Sequence, residues 1–373
     1  MPISPMDDTL SHQTTETFDH VFTSDRNFYD RHYFNLHPKG SEFFLVAGMG
    51  QYPNLGTTDA FVCVSIAETQ YVVRASRELG SDRMNTKVGP FGVEIIESLK
   101  KMRVWCDDSE HDVCFDLVFE GSSPVAEEPR TVIRRHGAIE MDTSRYTQAG
   151  TWSGQLTIAG KSIEISNQNH LGVRDHSWGV RQIGEPVAPG IKIKDYTEGY
   201  GFFHTWVPMQ FDDYLLKFFV EENMQGERLV EESVRVNSFE RGGTIEQMGR
   251  PEHKFTFKSG TRELSEAVLA FTDPEGRALS VQATPLRTVY LAGGTGYIAS
   301  ADWAHGMYQG SLKIEGLSFD VGDPAVRAEL APLYETLCKF ELSTGEVTYG
   351  MLENLIIGLC PNYGFDSWEA VEP

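Results

Sequence analysis

From Phe43 onward, apolar and polar residues alternate in short runs. In VCFDLVFEGS, Val113, Phe115, Leu117 and Phe119 fall on one side, and Cys114, Asp116 and Glu120 on the other. That is the period of two expected of a half-buried strand. AFVCVSIA, TQYVVRAS, KMRVWC, QLTIAGKSIEIS, YLLKFFVEE, HKFTFKS, ALSVQAT and SLKIEGLSFDV are likewise rich in β-branched and aromatic residues, with turn chemistry between them. The pattern predicts a mostly β protein of antiparallel sandwiches or barrels with few helices. The clearest helical signal is DPAVRAELAPLYETL, with Asp323 as N-cap, Pro324 at the first helical position and Pro332 as a break. It predicts a helical insertion near 323–337.

An internal repeat suggests how the strands divide. WSGQLTIAGKSIEI, from Trp152, aligns without gaps on YQGSLKIEGLSFDV, from Tyr308. Each copy is followed by an aromatic–glycine pair, Trp178-Gly179 and Tyr349-Gly350, and the second interval is longer by the length of the helical segment. This reads as two tandem β-domains, residues 28–190 and 191–373, after a polar, loosely held arm over 1–27. The boundary falls in IGEPVAPGIKI, where prolines and glycines interrupt the strands.

The chemistry concentrates in GVRDHSWGVR, residues 172–181. In a strand, alternation puts Arg174, His176 and Trp178 on one face, with Asp175 and Ser177 on the other. An imidazole between a guanidinium and an aromatic wall is a proton carrier tuned toward its neutral form. His204 and Trp206, in FFHTWVP, share a face in the same way, and the two pairs together define a pocket. The alternative is structural: histidine and tryptophan rings bury and satisfy their N–H groups on the backbone, and Arg174 pairs with Asp175. Tyr33 and Asn35 in RHYFN and Asn54 in YPNLG are polar groups among aromatics, either ligand contacts or satisfied loop and strand residues. GTGYIA, from Gly294 through Gly296, resembles a dinucleotide fingerprint, but SADWAHGMYQG after it is no helix. His136, His170 and His176 show no metal-ligand spacing, so neither cofactor nor metal is expected.

Charge narrows the partners. Acidic residues outnumber basic ones by 54 to 32, a formal net charge of −22. Such a field repels nucleic acid and anionic lipid. The chain opens with no signal-peptide pattern and holds no apolar run long enough to span a bilayer, and its five cysteines are scattered singly. These features predict a cytoplasmic protein whose partner is a small molecule.

RDHSWG, preceded by the WSGxLxIxG strand, resembles the hydroxyneurosporene synthase (CrtC-like) and AttH-like superfamily, which includes carotenoid hydratases, kievitone hydratase and polyketide cyclases. YFN with GxxxYPNLG, and AHGMYQG with its His305, resemble the bacterial branch. The resemblance implies two lipocalin-like β-barrels with a ligand pocket at or near their interface. In the resulting reading His176 is the proton shuttle, Asp175 its orienter or a structural partner, and His204 a further catalytic group. Trp178, Trp206, Arg174, Tyr33, Asn35, Asn54 and His305 would contact substrate. The activity implied is a cofactor-independent hydratase or dehydratase acting on a largely apolar terpenoid, steroid or polyketide. A cyclase that works by holding its substrate, and a non-catalytic carrier of hydrophobic ligands, are the alternatives. The strand YLLKFFVEE lacks the hydratases' Tyr-x-Asp, so the proton-donating acid is not placed.

Overall fold

The structure, a computed structural model, describes residues 8–10, 17, 19–108, 110–135, 138–183 and 200–373. Strands make up 59% of the chain and helix 5%. They form two antiparallel sheets: one of 14 strands, curled into a nearly closed barrel, and one of nine, curled into a half-barrel. The expected pair of β-barrel bodies is present. No helix among the described residues is long and apolar enough to cross a membrane, and all five thiols are unpaired.

At the centre of the first sheet, Phe28–Pro38 lies between Phe43–Tyr52 and His170–Val180. Every residue of Phe28–Pro38 and Phe43–Tyr52 is buried. Such strands have no solvent face, because the barrel interior covers one side and the second sheet covers the other. Phe34, Leu36, Phe43, Leu45 and Trp152 pack inside the barrel. Tyr33, Phe44, Val46 and Val173 pack outward, against Trp206, Leu215, Phe219, Leu333, Leu337 and Met351 of the second sheet. Phe203, Val207, Phe218, Phe340 and Leu352 fill the far side of that sheet. Glu128 ties the two bodies together: it accepts from Trp206 Nε1 at 2.9 Å, while its other oxygen lies 3.3 Å from Arg145 Nε.

Two expectations change. The helix covers only Pro324–Leu330, capped by Asp323 onto the N–H of Ala325, and Tyr334–Leu342 is a strand. Its β-branched and aromatic residues pair with Ala278–Tyr290 and Val347–Gly358, so tertiary pairing outweighs helical propensity there. The two copies of the repeat differ in structure. The first copy turns at Ala159 and Gly160, both with positive φ, whereas the second runs straight through Gly316 as the single strand Leu312–Asp320. That strand belongs to the carboxyl-terminal half yet pairs with Thr69–Glu78 at the edge of the first sheet. The proposed boundary near 190 lies outside the described residues.

The amino-terminal residues are also not a loose arm throughout. Asp8 is fully buried in the first barrel, where Oδ1 accepts from Arg174 Nη1 at 2.6 Å and Tyr146 Oη at 2.8 Å, and Oδ2 from the Leu99 N–H at 2.6 Å. Beside it, Arg83 Nη2 donates to the Leu10 carbonyl at 2.7 Å. Burial pushes the Asp8 pKa up, but Arg174 and the hydrogen bonds outweigh it and hold the carboxyl below its usual value.

Circular dichroism should show far more β-structure than helix; a helix fraction above ~35%, the ordinary globular share, would contradict the fold. Asp8→Ala leaves Arg174 buried without its carboxylate, which should cost about 3–5 kcal/mol in urea unfolding at neutral pH. An unchanged midpoint would contradict the pairing. The Asp8 contribution is present above the unfolded carboxyl pKa of about 3.9 and is lost as pH falls through the lower folded value. The gap between wild type and variant should therefore close in acid.

Candidate functional site

Val173 packs between the sheets, and a strand repeats every two residues, so Asp175 and Ser177 also face the second sheet. The same parity sets the other strands: Tyr29, Arg31 and Tyr33 from Phe28–Pro38, His204 and Trp206 from Gly201–Gln210, Glu221 from Tyr214–Asn223, Glu335 from Tyr334–Leu342, and Glu353 from Val347–Gly358. They line an intersheet cavity of about 270 Å³. Residues 291–311 cross it without forming a strand and contribute Tyr297 and His305.

The cavity is heavily charged but largely self-compensated. His204 Nδ1 donates to Glu221 at 3.1 Å, and its Nε2 lies 3.6 Å from Glu353. Burial works against a charged imidazole here, yet Glu353 and Glu221 lift its pKa to about 9. His204 is an imidazolium at neutral pH and is no base. Glu353 is held below its usual range, since His204 and Arg145 outweigh its burial. Glu335 goes the other way: burial first, then the neighbouring Glu353, push it well above the carboxylate range, and it takes a hydrogen bond from Tyr33 Oη. Trp206 is pinned by Glu128, stands edge-on to Tyr33 at 5.9 Å, and has the Arg145 guanidinium 5.7 Å from its ring.

Asp175 differs from all of these. It is 8% exposed, lines the cavity, and no other described residue holds its carboxyl by hydrogen bond or ion pair. Burial raises its pKa to about 7; Arg145 and Arg181 pull it down, while Glu128 and Glu353 push it up. Near neutrality a large share of it therefore keeps a transferable proton.

The pocket expected from sequence is thus corrected. The cavity gathers Asp175, His204, Trp206, Tyr33 and His305, but Arg174, His176 and Trp178 point into the first barrel instead. Asp175 cannot orient His176, because adjacent strand residues face opposite ways. The partner of His176 is Asp30, at 2.6 Å from Nε2, with Tyr146 Oη 3.2 Å from Nδ1. Arg174 is held by Asp8 and by Gln148 at 2.8 Å, and the Trp178 ring packs 5.4 Å from His176.

Asn35, Asn54 and His170 do not line the cavity. Asn35 accepts from the Val173 N–H at 2.9 Å and donates to Tyr33 Oη at 3.3 Å, so it positions a cavity residue from behind. Asn54 donates to the carbonyls of Thr23 and Asp25 and holds a loop, away from the cavity. His170 bonds within its own turn to Ser166, and His136 lies outside the described residues. Sequence reasoning missed Arg31, Arg145, Glu335, Glu353 and Tyr297. Each of the four charged residues sits in a strand at the same odd parity as an apolar interface residue, which is the signal that could have found them.

A larger cavity, about 660 Å³, opens on the first barrel beside Thr9, Leu10, His32 and Arg83. Much of its rim is exposed polar chain around Met84–Lys87 and Arg103. Convergent chemistry from both sheets favours the smaller one as the functional site.

Comparison with known proteins agrees with this architecture. No curated protein matches the chain in sequence. The crystal structure of an AttH-like protein of Nitrosomonas europaea is 12% identical, with a TM-score of 0.53 over 88% of this chain and 92% of that one. The crystal structure of CghA is 9% identical, with a TM-score of 0.52 over 88% of each chain. The fold is therefore that of the AttH-like proteins, as RDHSWG implied. The profile of a family of unknown function, DUF8625, matches residues 3–366, and the chain belongs to that family.

Proposed function

We propose that the protein is a cofactor-independent hydratase or dehydratase whose general acid is Asp175. The observation that carries this reading is a buried carboxyl in the intersheet cavity, without a partner among the described residues and with a pKa near 7. Addition of water to an alkene needs a proton donor on one carbon and a water for the other. Asp175 gives its proton to the alkene carbon, and the water oxygen bonds to the adjacent cationic carbon. The proton released by that water restores the acid. Dehydration runs the same steps backward, with Asp175 protonating the departing hydroxyl.

The surroundings suit this chemistry. Trp206, Tyr33, Phe202, Leu355 and Ile357 make an aromatic and aliphatic wall against which the body of a terpenoid, steroid or polyketide packs. The pinned Trp206 ring can stabilise a developing carbocation by roughly 1–2 kcal/mol. His204 keeps its charge through Glu221 and Glu353, so it acts as a fixed cation and donor rather than as a base. His176, enclosed with Asp30 and Tyr146, has a structural part in this scheme.

The test begins with a substrate found by comparing metabolite extracts before and after incubation with the protein. In ¹⁸O-labelled water the hydrated product should carry the label. Asp175→Asn should lower kcat by roughly 10²–10⁴-fold, the usual contribution of a general acid, with thermal stability retained. Hydration by the wild type should decline as pH rises through about 7, because the acid form is then lost. Turnover that survives in Asp175→Asn with no label in the product would move the reading to a cyclase that works by holding its substrate.

A further inference from the structure

We propose that the intersheet cavity takes a substrate bearing a carboxylate, gripped by Arg31 with Arg181 beside it. The inference rests on this cavity being the substrate site and adds the chemical class of what enters it. Arg31 is 1% exposed. Its Nη1 donates to Tyr52 Oη at 3.2 Å and to His305 Nδ1. Burial, reinforced by Arg31 and Arg181, holds His305 neutral, and its Nε2–H donates to the Thr295 carbonyl at 3.1 Å. That bond leaves Nδ1 as the acceptor that fixes the guanidinium. Nε and Nη2 of Arg31 have no hydrogen-bond partner among the described residues. These two donors form one edge of the guanidinium, the fork that matches the two oxygens of a carboxylate.

A second cation converges on the same place. The Arg31 guanidinium lies 4.6 Å from the Tyr297 ring centre, and that of Arg181 lies 5.9 Å from the same ring. Arg181 is half-buried, rests 4.6 Å from the Tyr29 ring, and also has an unpartnered Nε. No carboxylate of the described residues lies within 4.0 Å of either guanidinium. Asp59, which lies near Arg31, is instead held by Tyr52 Oη at 3.0 Å and the Gly306 N–H at 2.8 Å. Both donors are enclosed, and Nη2 packs against Gly48, where a Cβ would come within 3.1 Å of it. Every other buried cation of the cavity is matched by an acid of the protein: Arg145 by Glu128, and His204 by Glu221 and Glu353. Two adjacent guanidiniums left unmatched in a low-dielectric cavity call for an anion from outside.

The test uses a pair of ligands of one shape and different charge, 2-naphthylacetate and 2-naphthylacetamide, titrated calorimetrically into the full chain. The carboxylate should bind at least about tenfold more tightly, as expected of a charge-assisted bidentate contact. Arg31→Gln and Arg181→Gln should each reduce that preference while leaving amide affinity unchanged; thermal unfolding checks each fold, and the half-buried Arg181 is the safer substitution. Asp175→Asn should keep the preference, which separates anion binding from acid catalysis. Equal affinity for acid and amide, absence of binding by both, or a preference that survives in folded Arg181→Gln and Arg31→Gln would overturn the proposal. Turnover dependent on Asp175 would still stand in each of those cases.

Discussion

A strand buried on both faces has no solvent side on which to leave its polar groups. Phe28–Pro38 and His170–Val180 are in that position, one face in the first barrel and the other against the second sheet. Each polar side chain on them must find a partner in one compartment or the other, and the pleat decides which. Asp175 and His176, neighbours in sequence, therefore belong to two separate environments. One looks into an intersheet cavity, and the other is bonded to Asp30 inside the barrel. A slip of one residue in this register would exchange them and leave both sets of partners uncompensated.

The buried charges follow from the same constraint. Asp8 reaches in from the amino terminus to compensate Arg174, so a segment outside the main strands completes the interior of the first barrel. Glu128 of the first body meets Trp206 and, at 3.6 Å, Lys217 of the second, while Arg145 closes the group. Burial alone would raise the Glu128 pKa, but Lys217 and Arg145 hold it down. These pairs fix how the two sheets meet. What they leave over is informative: one carboxyl and two guanidiniums in the same cavity lack a protein partner close at hand. Proton donation and anion recognition are the chemistries that such leftovers supply.

Much of the fold was legible in the alternation of residues. Val113, Phe115, Leu117 and Phe119 are buried as expected, with Asp116 and Glu120 exposed. Alternation identifies the inward face only where one face is wet, however. In HLGVRDHSWGV both faces are buried, so the even set Arg174, His176 and Trp178 looked as suitable for a pocket as the odd set that lines one. Val173 was the local clue, since it shares the parity of Asp175 and packs against the second sheet. Glu335 was hidden for another reason: it was assigned to a helix that stops at Leu330, and only pairing with distant strands makes Tyr334–Leu342 extended. The grip on Arg31 depends on His305, 274 positions away, and no local pattern reports that contact.

Asp175 faces the cavity and keeps its proton to far higher pH than an ordinary aspartate. Its carboxyl carbon can be followed directly by ¹³C NMR titration of protein labelled at aspartate, with Asp175→Asn identifying the resonance. A midpoint at about 7 is predicted. A midpoint near 3.9, the ordinary value for an aspartate, would contradict the account.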